Sequence, residues 1–299
     1  MRTLSINEIH CSSALNKLKR KIPYGWDLNV YRGCQHGCVY CYAINSNKYL
    51  ENQDFFRDIS VKVNIVDELE KELMKKSWKY DVINIGGVTD SYQPVEAKYK
   101  IMRDVLKLLI KYRSPAIIST KSDLILRDID LIDELSKITY INIAATITTV
   151  DEDQRRILEP LGVSSEKRFK MLSEFSKTNA SVGMHIMPII PRLTDNKENI
   201  IQLLEKGKES NIDYVLPGFL YLRGKFRGSF FKTISDFYPE LYDELQKLYS
   251  KGGVDKYYKD EFYNMFNHNR KKLGISNSYS RVYEEKIGQT QEVQLSLFD

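Results

Sequence analysis

Through the middle of the chain, short apolar runs alternate with longer amphipathic stretches. Leu28–Tyr31, Val82–Val88, Ala116–Thr120, Tyr140–Thr146, Ser181–Met187 and Tyr214–Phe219 are brief and β-rich, and each reads as a strand. Between them Val66, Leu69 and Leu73 fall at helical spacing, as do Ile101, Val105, Leu108 and Leu109, and again Phe169, Leu172 and Phe175. Strand, helix, strand, repeated this way, predicts an α/β fold with parallel pairing and helices outside. Right-handed crossovers then curl six such units into a partial or complete barrel, with chemistry at the C-terminal ends of the strands. Pattern alone does not separate an open six-unit barrel from a closed eight-unit one. After about Phe230 the pattern changes. Ile234–Tyr249 and Asp255–Leu273 read as helices with no strand after them. The expected organisation is an N-terminal segment over 1–26, a barrel over 27–230, a helical extension over 231–276 and a loose polar tail over 277–299.

Composition narrows the class. The chain has 299 residues, 42% hydrophobic and 28% charged, which suits a globular protein with one large core. No apolar run approaches membrane-spanning length, and no signal-peptide core opens the sequence, so no membrane is expected. The net charge of +5 is modest. Basic residues cluster at Lys17-Leu18-Lys19-Arg20-Lys21 and around Arg223, Lys225 and Arg227, and either cluster could meet phosphates or be an ordinary solvated face.

Cysteine use carries most of the chemistry. Three of the four cysteines lie in Tyr31-Arg32-Gly33-Cys34-Gln35-His36-Gly37-Cys38-Val39-Tyr40-Cys41-Tyr42-Ala43, spaced CxxxCxxC. Three thiolates on one loop can hold three corners of a cubane iron–sulfur cluster, where full cysteine ligation would use four. The iron left open can bind a substrate or cofactor. Gly33 and Gly37 suit a loop folding tightly around such a cluster. A structural zinc site using His36 is the alternative, but zinc sites usually take two separated ligand pairs and no second pair is present. Cysteines grouped for metal rather than spaced for disulfides point to the cytoplasm. Cys11 stands alone and reads as an ordinary thiol.

Other predicted strand ends are polar. The second gives Gly86-Gly87-Val88-Thr89-Asp90-Ser91-Tyr92-Gln93-Pro94, where paired glycines let a ligand approach the backbone. The third gives Ser119-Thr120-Lys121-Ser122, with a lysine suited to a carboxylate. The fourth unit contains Thr146, Glu159-Pro160 and Arg168, a candidate for a bidentate carboxylate contact. His185, on an apolar strand, reads as a hydrogen-bonded core histidine.

The cysteine spacing and its context resemble the radical S-adenosylmethionine (SAM) superfamily. The segments YRGCQHGCVYCYA, GGVTDSYQPVE, STKSDLILRDIDLI, LEP and MPIIPRLTD are similar to its spore photoproduct lyase-like, DNA-repair photolyase-like branch, over roughly Asn29 to Phe219. The resemblance implies an open, partial (β/α)6 TIM-like barrel with a C-terminal helical extension, and a 4Fe–4S cluster and SAM as cofactors. It implies Cys34, Cys38 and Cys41 as cluster ligands and Tyr40 against the adenine. Gly86, Gly87, Thr89, Asp90, Ser119, Lys121 and Arg168 are the candidates for holding SAM. It further implies an electron donor such as flavodoxin or ferredoxin, and a lyase-like reaction on a DNA base lesion. The alternatives are a radical SAM enzyme on a peptide or small molecule, and a non-catalytic iron–sulfur or zinc protein binding DNA. The lyase's hydrogen-donating cysteine on the second strand has no counterpart in Val82–Gly87, so Tyr42 and Tyr92 stand as candidate hydrogen-atom donors. The terminal Gln294-Leu295-Ser296-Leu297-Phe298 resembles the pentapeptide by which bacterial repair proteins bind the sliding DNA clamp. Gln294, Leu295, Leu297 and Phe298 would be its anchors.

Overall fold

The computed structural model describes residues 3–18, 24–49, 54–224, 226–279 and 283–284. Lys19, Arg20, Lys21, Lys225 and the tail residues Gln294, Leu295, Leu297 and Phe298 lie outside the described residues. The chain opens with β1 (Ser5–Ile9) and β2 (Leu15–Lys17) and then reaches the first predicted strand, which the structure divides. β3 (Trp26–Leu28) stops before Asn29, and β4 (Tyr31–Arg32) enters a different sheet. Asn29 accounts for the division. Its side-chain oxygen accepts from the Val88 N–H at 3.0 Å, and its carbonyl accepts from Lys62 Nζ at 2.6 Å. β4 pairs antiparallel with β5 (Asp58–Lys62), and β5 pairs parallel with β1. This three-stranded sheet was absent from the expected organisation.

The elements that follow are α1 (Ile65–Leu73), β6 (Ile83–Ile85), α2 (Glu96–Tyr99), α3 (Ile101–Lys111), β7 (Ala116–Thr120), α4 (Ile129–Ser136), β8 (Ile141–Thr146), α5 (Glu152–Leu158), α6 (Ser165–Phe175), β9 (Ser181–Ile189), α7 (Lys197–Glu209) and β10 (Tyr214–Phe219). The main sheet has the order β10-β9-β8-β7-β6-β3-β2. β3 and β6 to β10 pair in parallel, and β2 lies antiparallel on the edge. Among the described residues no ladder joins β2 to β10, so this is the open, six-unit parallel sheet with helices outside. β7 and β10 keep their predicted bounds. β6 ends early because Gly86 turns to φ +88°, and β9 runs on to Ile189.

Strand alternation separates two faces. Ile85, Ile118, Ile143, Val182, Met184 and Val215 pack outward against Val105, Leu109, Leu135, Leu172 and Leu203 of the helices. Each such side chain contributes roughly 1.5–3 kcal/mol on burial. Asp151, Ser164 and Asn196 cap the N-termini of α5, α6 and α7 with their side-chain oxygens, fixing where each helix leaves its strand end.

The helix expected over Ile234–Tyr249 is two helices. α8 (Phe226–Phe237) begins earlier, a 3-10 turn covers Pro239–Leu241, and α9 (Tyr242–Leu248) follows. Pro239 cannot continue an α-helix, and the expected boundary at 230 falls inside α8. α10 (Lys256–Lys272) is capped by Asp255, close to prediction. These helices do more than extend the fold. Phe226, Phe230, Ile234 and Tyr249 share a core cluster with Cys38, Tyr40 and Leu158, so α8 backs the cysteine loop.

Candidate active site at the barrel mouth

β4 delivers the chain into the cysteine loop at Gly33. Its φ is +77°, and a Cβ there would lie 2.7 Å from the Asp58 carbonyl and 2.9 Å from that of Phe55. Only glycine fits both the angle and the space. The Cys34 N–H donates to the Phe55 carbonyl at 2.9 Å, and the Val39 N–H to that of Leu158 at 3.0 Å. Cys34 and Cys38 are buried free thiols and Cys41 is half-buried. Burial pushes all three thiols up, Cys34 to about 12, with the Asp90 charge next in weight there. Cys38 feels the charges of both other cysteines, which places the three sulfurs within electrostatic reach of each other. Such thiols become thiolates when a metal takes the proton's place. Among the described residues no three His, Cys, Asp or Glu side chains converge on one ion's position. A cubane asks for something different, one thiolate on each of three irons, and a loop presenting three separate soft donors fits it.

Side chains from the neighbouring strand ends bolt this loop in place. Asp90 accepts from His36 Nε2 at 3.0 Å, from Thr120 Oγ1 at 2.8 Å, from the Tyr92 N–H at 2.9 Å and from the Lys121 N–H at 2.8 Å. Burial raises its pKa, but His36 and these donors outweigh it and hold the carboxyl well below its usual range. Gln93 accepts from the Gln35 N–H at 2.8 Å, and Gln35 accepts from the Val95 N–H at 2.7 Å. Thr89 Oγ1 donates to the Gly33 carbonyl at 2.6 Å. Asp90 and Thr89, expected to touch SAM, are therefore turned onto the cysteine loop. A lone acid after two glycines reads the same in sequence whether it faces a ligand or a loop.

Arg168 is also corrected. It is fully buried and ion-paired with the equally buried Glu159, and it donates to the Thr146 carbonyl at 2.8 Å and the Val163 carbonyl at 2.7 Å. It shows no exposed surface to a cofactor, and its Nε alone is left without a partner among the described residues. The second oxygen of Glu159 accepts from the Tyr40 hydroxyl, so the pair fixes the aromatic residue between Cys38 and Cys41. Over that ring, 5.9 Å from its centre, stands Lys121 Nζ. Burial pushes this ammonium down, but Cys38, Glu159 and Asp90 together lift it above the ordinary lysine range. Among the described residues it has no ion pair. A charged lysine without an ion pair, above an aromatic ring and within electrostatic reach of Cys38 and Cys41, is ready for an anion.

The two tyrosines separate. Tyr92 is wholly buried in the outer core, beside Asp128, Glu96 and Arg127, and cannot reach the mouth. Tyr42 is 65% exposed, and its hydroxyl donates to the Gly87 carbonyl, so it lies over the glycine pair. Gly87 has its own reason to lack a side chain, since a Cβ would lie 2.8 Å from Asn84 Nδ2. Ser119 shares the inward face of the sheet with Ala144, its register partner. Also on that face, and missed as site residues, are Asn142, Ser181, His185 and Tyr214. His185 is correctly hydrogen-bonded but not a core residue, because Met184 and Ile186 take the core positions on either side. Strict alternation along Ser181–Ile186 was the available signal. Burial, then the charge of Lys121, pushes its pKa down to about 4.

A family model of the radical SAM superfamily matches residues 28–204. An uncharacterized protein of Methanocaldococcus jannaschii is 33% identical over 245 residues, covering 82% of this chain and 87% of its own. An uncharacterized protein of Mycobacterium tuberculosis is 30% identical over 254 residues, covering 83% and 75%. Among solved structures, spore photoproduct lyase complexed with dinucleoside spore photoproduct aligns at a TM-score of 0.67 and 12% identity, over 90% of this chain and 79% of that one. A mutant of that lyase with bound AdoMet aligns at 0.60 and 14%, over 80% and 67%. At such identities the likeness is one of fold.

Proposed function

Since the chain belongs to the radical SAM superfamily, whose cofactors are a 4Fe–4S cluster and SAM, we propose that it is a lyase-like enzyme drawing a hydrogen atom from a nucleic-acid base lesion in the barrel mouth. Bound there, the cluster would supply the electron for reductive cleavage of SAM to a 5′-deoxyadenosyl radical. Cys34, Cys38 and Cys41 would hold the cluster. Lys121, standing over Tyr40, would hold the SAM carboxylate, and Tyr40 would lie against the adenine. The bare backbone of Gly86 and Gly87 and the hydroxyl of Ser119 would meet its polar end. Tyr42, exposed above Gly87, is the remaining candidate hydrogen-atom donor.

Lys121, without an ion pair among the described residues and within electrostatic reach of Cys38 and Cys41 on the three-cysteine loop, carries this reading. The nucleic-acid part draws support from the rim. Tyr221 is exposed, the Arg223 guanidinium stacks 4.6 Å from its ring centre, and Asn45 of the cysteine loop donates to the Arg223 carbonyl at 3.0 Å. Arginine stacked on an exposed aromatic is a platform for bases and backbone phosphates. The fold likeness to a lyase solved with dinucleoside spore photoproduct supports the same reading. No described helix is long and apolar enough to cross a membrane. A cytoplasmic site, a flavodoxin or ferredoxin donor, and docking of the tail on a sliding clamp belong to the proposal.

The test is an anaerobic assay of the reconstituted protein with SAM and a reductant. We expect 5′-deoxyadenosine to form slowly alone and about tenfold faster with ultraviolet-damaged oligonucleotide than with undamaged strand. Equal rates with both, alongside stimulation by peptides, would move the substrate to the peptide or small-molecule class.

A further inference from the structure

The electron for the proposed chemistry must come from outside the chain, and a groove on the molecule's surface lies behind the cysteine loop. It runs between α8 and α9, with a volume of about 650 Å³. Its α8 wall is bare, because a Cβ on Gly228 would meet nothing within 4 Å. Tyr242 of α9 and Phe231 of α8 both line it, their rings edge-on with centres 5.7 Å apart. Phe231 in turn meets Phe230 edge-on at 5.5 Å, and both belong to the core cluster that contains Cys38 and Tyr40. α8 therefore has the groove on one side and the cysteine loop on the other. Packed side chains join the two, across the thickness of one helix, about 10 Å.

The charges of the groove suit an acidic partner. Its lining carries two cations, Arg227 and Lys232, and one acid, Asp236. The acid is already held by Lys232 Nζ at 2.9 Å. The Arg227 guanidinium lies along Phe231, 4.9 Å from the ring centre, so a cation stands directly over the packed path. Arg223 adds a further cation beside the lining residue Gly224. On α9, Glu244 is answered by Arg192 at 2.6 Å. A small basic surface of this kind fits a transient encounter, and redox complexes bury the least area of the specific interfaces. A nucleic-acid strand would answer the charge equally, but it has no use for aromatic packing that leads down to Cys38. A protein that delivers an electron needs that packing, because electron transfer through protein is fastest across contiguous side chains without a gap.

We propose that the groove between α8 and α9 docks an acidic one-electron carrier protein, whose electron crosses Phe231 and Phe230 to the Cys38 sulfur. This rests on the radical SAM reading above. The carrier is oxidised by one electron, the centre held by Cys38 is reduced by one, and no bond forms or breaks. The experiment mixes reduced flavodoxin with anaerobic holoenzyme, without SAM, and follows the one-electron oxidation of the flavin in stopped flow. Gly228→Leu fills the groove at an open helical position, where leucine is the better helix former. Lys232→Glu reverses a charge on its rim. Each should slow electron transfer from flavodoxin about tenfold at low salt, the effect of Lys232→Glu shrinking as salt rises. Dithionite, which needs no docking, should reduce all three proteins alike. Calorimetry of cluster-free wild type with oxidised flavodoxin should give a Kd on the order of micromolar, weakened in both variants. Thermal melts confirm that the variants are folded. A flavodoxin rate that folded Gly228→Leu leaves unchanged overturns the proposal, as does wild type that flavodoxin neither binds nor reduces. So does a filled groove that loses binding of a single-stranded oligonucleotide while keeping the flavodoxin rate. Absence of SAM cleavage in dithionite-reduced holoenzyme would instead overturn the enzymatic reading, and it would leave these rates and affinities as they are.

Discussion

Replacing any one of Cys34, Cys38 and Cys41 with alanine takes the reconstituted protein from about four irons per chain to less than one. The same change removes 5′-deoxyadenosine formation. The three thiols are free, share one loop and lie within electrostatic reach of one another, so none is a spare. Cys11→Ala should leave iron content unchanged. Its segment is held by Asn64, which donates to the Cys11 carbonyl and accepts from its N–H, both at 2.8 Å, and the thiol takes no part. Iron analysis and the electron spin resonance of the reduced cluster, with and without SAM, are the measurements. A colourless wild-type protein with one tightly held zinc would sink the assignment.

Glu159→Leu should lower the apo-protein's thermal midpoint by about 10 °C. Glu159 and Arg168 are both completely buried, and removing one partner of such a pair costs about 3–5 kcal/mol because the other charge is stranded. A double variant, Glu159→Leu with Arg168→Met, should recover much of the loss, since the buried charge is gone. The pH dependence follows from the carboxyl. Burial raises its pKa, but Arg168, Lys121 and the Tyr40 hydroxyl outweigh burial and hold it below its ordinary value. The stabilisation is therefore present at neutral pH and down to about 4.3, the unfolded carboxylate value. It is lost as pH falls further, through the lower folded value. Calorimetry of cluster-free protein is the check. A shift of less than about 2 °C would mean that the pair does not carry this energy.

The parallel framework was legible because each strand announces itself locally. Ala116–Thr120 and Tyr214–Phe219 are bounded in sequence as they are in space. The small sheet was not legible, since Ser5–Ile9 is mostly polar and its partner Asp58–Lys62 lies far along the chain. The cysteine loop could be read from spacing alone. Its supports could not. Asp90, Thr89 and Arg168 were recognised as polar groups near the right strand ends, but what each one faces is set by non-local partners, Asp90 by His36 and Arg168 by Glu159. The fate of Tyr92 depended on its direction, inward to the mouth or outward to Asp128, and a turn residue carries no periodicity to decide it. His185 had such periodicity and could have been placed.

The bolts on the cysteine loop are made of protein alone. Gln35, His36 and Gly33 are tied to Gln93, Asp90 and Thr89, and Val39 to Leu158, without any iron. These bonds run between protein groups alone, so the loop is expected to keep its shape when a metal centre is lost. Rebuilding the centre would then be an insertion, with no refolding step. Amides of the loop in cluster-free protein should then exchange with solvent as slowly as those of the adjoining strands, and the half-buried Cys41 would be the ligand that solvent reaches first.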